Sequence, residues 1–241
     1  MKITLLLTSA IKPSYNTPYL KHIDELSRLR ETLKCLLKWS KVVKRHNFNW
    51  ILIDNTLDEE ELRKIIPLGS FPEIQLLSAP PLTEKDLKKG AGFGELMSLK
   101  YAVKTLELED NDLIIKCNAR YFIRNFDNLF RFVEDNNKIF FHTYLRLDRA
   151  ETKFFVMTVS HLRNFLGYAE ARVNVQNNIH LEHIFALYIY SNAYHESISL
   201  PIEPVIFGVS GRTGAKYKFF TESWLHNIVN TVFKKFRLVF K

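Results

Sequence analysis

Asp112-Leu-Ile-Ile-Lys-Cys-Asn-Ala-Arg-Tyr121 is the stretch on which the reading of this chain turns. Leu113, Ile114 and Ile115 form the short apolar run that a fully buried parallel strand needs, and the run stops abruptly in Lys116, Cys117, Asn118, Ala119 and Arg120. Polar side chains at the end of a buried strand either cap it and solvate a turn or face a ligand. In an open α/β sheet ligands sit outside the carboxyl ends of the strands, which places Lys116, Asn118 and Arg120 where a phosphate is met.

Working outward, the same pattern occurs three times before this stretch. Ile3 to Leu7, Trp50 to Ile53 and Ile74 to Leu77 read as buried strands, ending at Thr8 and Ser9, at Asp54 and at Ser78. Between the first two, apolar residues from Ile23 to Val43 recur every three or four positions with basic residues between them, an amphipathic helix. A short acidic helix is expected over Asp58 to Ile66, and Pro80-Pro81 ends the third strand. Lys88-Lys-Gly-Ala-Gly-Phe-Gly-Glu95 reads as a glycine-rich turn leading into a helix from Leu96 to Leu106. This alternation predicts an α/β fold built on a mostly parallel sheet, with four strand ends along one edge.

The glycine segment lacks the GxxxxGK[ST] of a phosphate loop and is no dinucleotide fingerprint, because it precedes the fourth strand. As a hinge it needs no ligand. As a helix start beside Lys88 and Lys89 it offers backbone N–H groups and ammonium charge to an anion, so Lys89 and Gly90 are candidate site residues.

The second half reads differently. Lys138 to Leu147 and Thr152 to Thr158 form a hairpin around Asp148-Arg-Ala-Glu151, followed by helices over Val159 to Tyr168 and Ile179 to Ser191. Glu182 opens that last apolar helix. It is either the solvated end of the helix or, beside an apolar wall, a carboxylate of raised pKa suited to general-base work. Val205 to Tyr217 carries three glycines with Ser210, Arg212, Thr213 and Lys216, a second loop able to bind an anion or a plain turn. Trp224 to Lys241 has apolar residues at helical spacing and a basic end, an amphipathic helix suited either to an anionic membrane surface or to docking on the domain.

Bulk properties set the outer limits. The 241 residues are 46% hydrophobic and 25% charged, and the net charge of +8 points to an anionic partner. Two cysteines, Cys35 and Cys117, support neither a disulfide framework nor a zinc cluster, and a reducing, cytoplasmic setting is expected. The first fifteen residues read as a strand, not a leader, and no run of eighteen apolar residues is present to span a membrane.

Over most of residues 1–220 this layout resembles the GT-A class of nucleotide-sugar glycosyltransferases, especially bacterial enzymes of capsule or lipopolysaccharide synthesis. KGAGFGE, IIKCNARYF, LEH and GVSGRTGAKY are the segments that carry the resemblance. It implies one GT-A-like domain over 1–220, with a nucleotide-binding half (1–125) and an acceptor-side half (126–220), then the helix of 221–241. Thr8, Ser9 and Asp54 would surround base and ribose, Lys89 and the glycine segment the sugar or phosphate, and Arg120, Arg212 and Lys216 the leaving diphosphate. Glu182 would deprotonate the acceptor in an inverting reaction; for a retaining one no nucleophile is assigned. The class usually has Asp-x-Asp at the fourth strand end to hold Mg²⁺ or Mn²⁺, whereas this chain has Asn118-Ala119-Arg120. Hard cations want anionic oxygens, so a metal-independent reaction is expected, with Mg²⁺ or Mn²⁺ as the alternative. The expected partners are a nucleotide-sugar donor, a glycan or glycolipid acceptor and, through 224–241, the inner face of the cell membrane. Two other classes stay open, a non-catalytic peripheral membrane protein and a nucleic-acid-binding module. Against the second, the nineteen phenylalanines sit in apolar runs and no nucleic-acid-binding motif occurs.

Overall fold

A computed structural model describes residues 1–133, 138–143, 148–211 and 213–217. The three apolar runs are strands β1 (Ile3–Ser9), β2 (Asn49–Asp54) and β3 (Ile74–Ser78), and the decisive stretch is β4 (Leu113–Asn118). These four lie parallel in the order β3-β2-β1-β4. The sheet continues through β7 (Phe154–Thr158), antiparallel to β4, then β6 (Ile139–Phe141) and β8 (Ser197–Ser199), giving seven strands among the described residues. The expected hairpin is present in part, as β6 antiparallel to β7 with Phe140 opposite Val156; residues 144–147 of its expected first strand lie outside the described residues.

Strand side chains alternate between two separate cores. Leu5 and Leu7, Trp50 and Leu52, and Leu113 and Ile115 face one side with Leu36 and Trp39 of α1 (Glu25–His46) and Phe126 and Phe130 of α5 (Phe126–Val133). Leu6, Ile51, Ile53 and Ile114 face the other, against α4 (Ala91–Thr105), α6 (Val159–Glu170) and α7 (Leu181–Asn192). Strands buried on both faces are the reason the sequence shows continuous apolar runs rather than strict alternation. The α/β class with helices on both faces is the one observed; the stretch 221–241 lies outside the described residues.

Helix ends follow the side chains that cap them. Asp24 accepts from Ser27 N at 2.8 Å to start α1, and Asn47 in the left-handed region ends it. Asp58 and Glu61 form a reciprocal capping box on α2 (Glu59–Ile65). A short helix, α3 (Glu84–Leu87), precedes the glycine segment.

That segment is a correction to the sequence reading. Gly90, at φ 93°, is the N-cap of α4, and the helix already runs through Ala91, Gly92 and Gly94. A side chain at Gly90 would sit 2.7 Å from Val175 as well as in a strained backbone conformation. The stretch at Val205 to Tyr217 also holds more order than a loop. Its strand β9 (Ile206–Gly208) pairs antiparallel with β5 (Tyr121–Ile123) in a second, two-stranded sheet. The helix α5 had no counterpart in the sequence reading.

Candidate functional site

Register aligns the carboxyl ends of the parallel strands, Ser9 beside Asp54, Asp54 beside Ser78 and Thr8 beside Asn118. A cavity of about 860 Å³ opens along this edge. That volume lies within the few hundred to about 1,000 Å³ typical of small-molecule sites. One wall is the segment between β1 and α1, with Pro13, Tyr19 and Leu20; a second is the start of α4, with Gly90, Gly92 and Glu95. Asn118 and Arg120 close the floor, and Thr152, Lys153 and Glu182 face them from the other half of the chain.

Thr8 and Ser9 both line the cavity. Thr8 is only 4% exposed, and its hydroxyl finds no hydrogen-bond partner among the described residues; the same holds for Oδ1 of Asn55 at the same wall. An orphaned buried polar atom costs about 1–3 kcal/mol, so both atoms are available to a hydrogen-bonding group that enters the cavity.

Asp54 is placed otherwise than the resemblance implied. It is fully buried and does not line the cavity. Its carboxylate accepts from Ser9 Oγ at 2.6 Å, Ile11 N at 2.9 Å, Thr56 N at 2.7 Å, Thr56 Oγ1 at 2.5 Å and Leu57 N at 3.1 Å. Asp54 thus ties the end of β2 to the segment after β1 and leaves no face for a ribose.

Lys116 likewise does not meet the cavity. Its ammonium is fully buried and donates to Glu95 Oε1, to Asn118 Oδ1 at 3.1 Å and to the Thr152 carbonyl at 2.6 Å. Lys89 turns to Asp86 at 3.0 Å and lies 4.0 Å over the Phe93 ring, while Gly90 beside it does border the cavity. The late loop is divided in the same way. Ser210, Gly211 and Tyr217 line the cavity, Thr213 and Lys216 are exposed outside it, and Arg212 lies outside the described residues.

Arg120 lines the cavity although it is only 8% exposed. Its Nη1 donates to the Val209 carbonyl at 2.9 Å and lies 3.7 Å from Glu31, so the guanidinium anchors the late loop to the floor. Gly208 is required there, because a Cβ would lie 2.2 Å from the Arg120 carbonyl. Arg28, on α1, joins it. Its Nε donates to Ala10 O at 2.6 Å and Nη1 to His22 O at 2.8 Å. Burial first, and the charge of Arg120 second, pull the Arg28 pKa down to about 9, which leaves it charged at neutral pH. Two guanidiniums, partly offset by Glu31, thus form an electropositive corner.

Glu182 lies across the cavity, half-buried at the start of α7. Its carboxyl pKa is raised, mainly by desolvation, and further by Glu151 and Glu95; its own backbone N–H and Lys153 act in the opposite direction. Lys153 is held by Glu151 at 2.5 Å. Arg28, Glu95, Thr152 and Lys153 are cavity residues that the sequence reading did not select. Arg28 looks like one more basic residue of an amphipathic helix, and Glu95 like the polar end of a glycine-rich turn; only their tertiary partners single them out.

Among the described residues no group of three His, Cys, Asp or Glu side chains is placed to hold a metal ion. The carboxylate nearest the strand end, Glu95, is already engaged by Lys116 and by Asn118 Nδ2 at 3.2 Å. Asn118, Arg120 and an occupied Glu95 do not fit the anionic oxygen shell that Mg²⁺ or Mn²⁺ takes.

Comparison of the chain with protein-family models finds no match, and comparison with curated protein sequences finds none. Solved structures do match. S. aureus TarS 1–349 in complex with UDP-GlcNAc is similar at a TM-score of 0.50 and 10% identity, over 89% of this chain and 61% of that one. The galactosyltransferase LgtC in complex with donor and acceptor sugar analogs gives 0.46 and 11%, over 83% and 73%. The Francisella tularensis 2-C-methyl-D-erythritol 4-phosphate cytidylyltransferase IspD gives 0.45 and 10%, over 96% and 100%. The chain spans about three fifths of the TarS 1–349 chain. At these identities the likeness is one of fold.

Proposed function

We propose that the protein is a nucleotide-sugar-dependent glycosyltransferase, acting on a glycan or glycolipid acceptor of the bacterial surface. The observation that carries this reading is the cavity at the sheet edge. It joins an unpartnered Thr8 hydroxyl and an arginine corner on one side to a desolvated carboxylate, Glu182, on the other. The fold is shared with TarS, whose structure was solved with UDP-GlcNAc, which supports a nucleotide sugar as the ligand class.

In this reading the nucleotide lies along Thr8, Ser9 and the segment after β1, and the diphosphate lies toward Arg28 and Arg120. The acceptor oxygen attacks the anomeric carbon as the carbon–oxygen bond to the diphosphate breaks. The acceptor proton passes to Glu182, and the bonding electron pair leaves with the nucleotide. Fixed cations beside a leaving group supply electrostatic stabilisation worth a few kcal/mol each. A raised pKa makes Glu182 a stronger base than an ordinary carboxylate.

A thermal-shift panel of UDP, GDP, CDP, CMP and dTDP, each with EDTA and with Mn²⁺, tests the reading. One nucleotide is expected to raise the melting temperature in EDTA, and Arg120→Ala to lose that shift. No shift from any of the five overturns the reading, and a strict requirement for Mn²⁺ overturns its metal-independent form. No helix among the described residues is long and apolar enough to cross a membrane. Contact with the inner face of the cell membrane is proposed as peripheral. The exposed basic face of α1, with Arg30, Lys34, Lys41 and Lys44, is the described feature that supports it.

A further inference from the structure

The geometry points to Lys116 as a built-in cation: a positioning residue whose ammonium fills an oxygen-lined site under the cavity floor and locks Glu95 and Asn118 for recognition of the donor sugar. The three groups that receive its protons are a carboxylate oxygen of Glu95, the amide oxygen of Asn118 and the Thr152 carbonyl. Carboxylate, amide and backbone carbonyl oxygens are the ligand chemistry of a hard cation. Here a lysine on the adjacent strand supplies the charge.

Two further observations turn this from a buried ion pair into part of the site. Glu95, Asn118 and Thr152 all line the cavity while Lys116 itself is fully buried, so the ammonium sits directly beneath the surface they form. The ring is also closed, because Asn118 Nδ2 donates to the second oxygen of Glu95 at 3.2 Å. That fixes which way the Asn118 amide points and orients both carboxylate oxygens, leaving their free lone pairs for hydroxyl groups in the cavity. A locked carboxylate loses little freedom on binding, which is how preorganised sites discriminate among sugars. The Asn118-Ala119-Arg120 strand end then needs no partner ion, because the charge that would be imported is carried in the chain.

The role in sugar recognition rests on the transferase reading, whereas the cation site stands by itself, and the experiment separates them. Lys116→Ala in the full chain opens the oxygen-lined site to the cavity. Its melting temperature is expected to rise saturably with methylammonium chloride and not with tetramethylammonium at equal ionic strength. Wild type and Lys116→Met should not respond, and adding Glu95→Gln to Lys116→Ala should remove the response. Absence of a saturable methylammonium response, or an equal response in wild type, overturns the cation site. So does failure of Lys116→Ala to fold at every methylammonium concentration.

The second measurement uses Lys116→Met, which fills the space without charge. It should bind the panel nucleotide as wild type does but lose affinity for the corresponding glucose, N-acetylglucosamine or mannose conjugate by about ten- to a hundredfold, the size of one hydrogen bond to a charged group. Undiminished conjugate affinity in Lys116→Met overturns the recognition role. If wild type binds no nucleotide at all, the transferase reading and the recognition role fall together, and the methylammonium result still decides the cation site.

Discussion

The two sides of the cavity treat charge in opposite ways. On the side built from the parallel strands, Asp54 is matched by five donors and Lys116 by three acceptors, so each is consumed in holding strand ends and loops in place. On the side built from residues 148–153 and the start of α7, carboxylates crowd together. Glu182 feels both Glu151 and Glu95, and burial makes its ionised form costly. In the transferase reading proposed above, the first wall would hold the charged donor still and the second would move the proton, and a site that must do both gains from that separation.

Breaking the rigid side should give the largest effect. Asp54→Ala strands the buried N–H donors of Ile11 and Leu57 and the half-buried one of Thr56, and a loss of stability on the order of 4 kcal/mol is expected at about 1–3 kcal/mol per unsatisfied group. Chemical denaturation measures it, and a loss below about 1 kcal/mol contradicts the account of Asp54 as a structural hub.

The reactive side should respond in the other sense. Glu182→Gln is expected to slow transfer by about 10²–10⁴-fold, the usual contribution of a general base, while raising the melting temperature at neutral pH. The sign follows from linkage. A carboxyl pKa raised by folding means that the folded state holds more protons than the unfolded one between the two pKa values. Stability therefore falls as pH rises through that window. The advantage of Glu182→Gln over wild type should grow as pH rises from the ordinary carboxyl range through the raised pKa of the folded state. A variant less stable than wild type at neutral pH would show that Glu182 is a structural residue.

Smaller effects sharpen the contrast. Gly90→Ala forces a side chain into a backbone conformation at φ 93° and against Val175, and about 1–3 kcal/mol of stability should be lost with some nucleotide affinity. Lys100→Ala removes an exposed ion pair with Glu170 far from either wall. Urea unfolding should register less than about 0.5 kcal/mol, and transfer should be unchanged.

Much of the fold was legible because both faces of the central strands are buried, which writes each strand as an apolar run with an abrupt polar end. The edge carrying the cavity followed from those ends. The role of each polar end did not. Asp54 and Lys116 look alike as strand-terminal charges, and what separates them from Arg120 lies in partners from residues 9, 11, 56, 95 and 152, remote in sequence. The glycine segment misleads for a related reason. Glycines there allow close approach, Gly92 having Leu181 Cβ 3.0 Å from where its own Cβ would be, and a helix with a small-residue face reads locally as a turn. Glu182 could be selected from its own sequence surroundings because an acid opening an apolar helix is conspicuous without knowledge of its neighbours.

The chain leaves the large sheet at Asn118 and joins the small one at Tyr121, where a ladder three residues long holds the late segment, helped by the Arg120 anchor, His22 N–H to Gly211 O at 3.1 Å, the Asn125 side chain on Glu203 O and Val205 N–H, and the edge-on rings of Tyr121 and Tyr217. Unzipping that ladder breaks no bond of the seven-stranded sheet. Amide protons at 206–208 should accordingly exchange with solvent well ahead of those at 113–117.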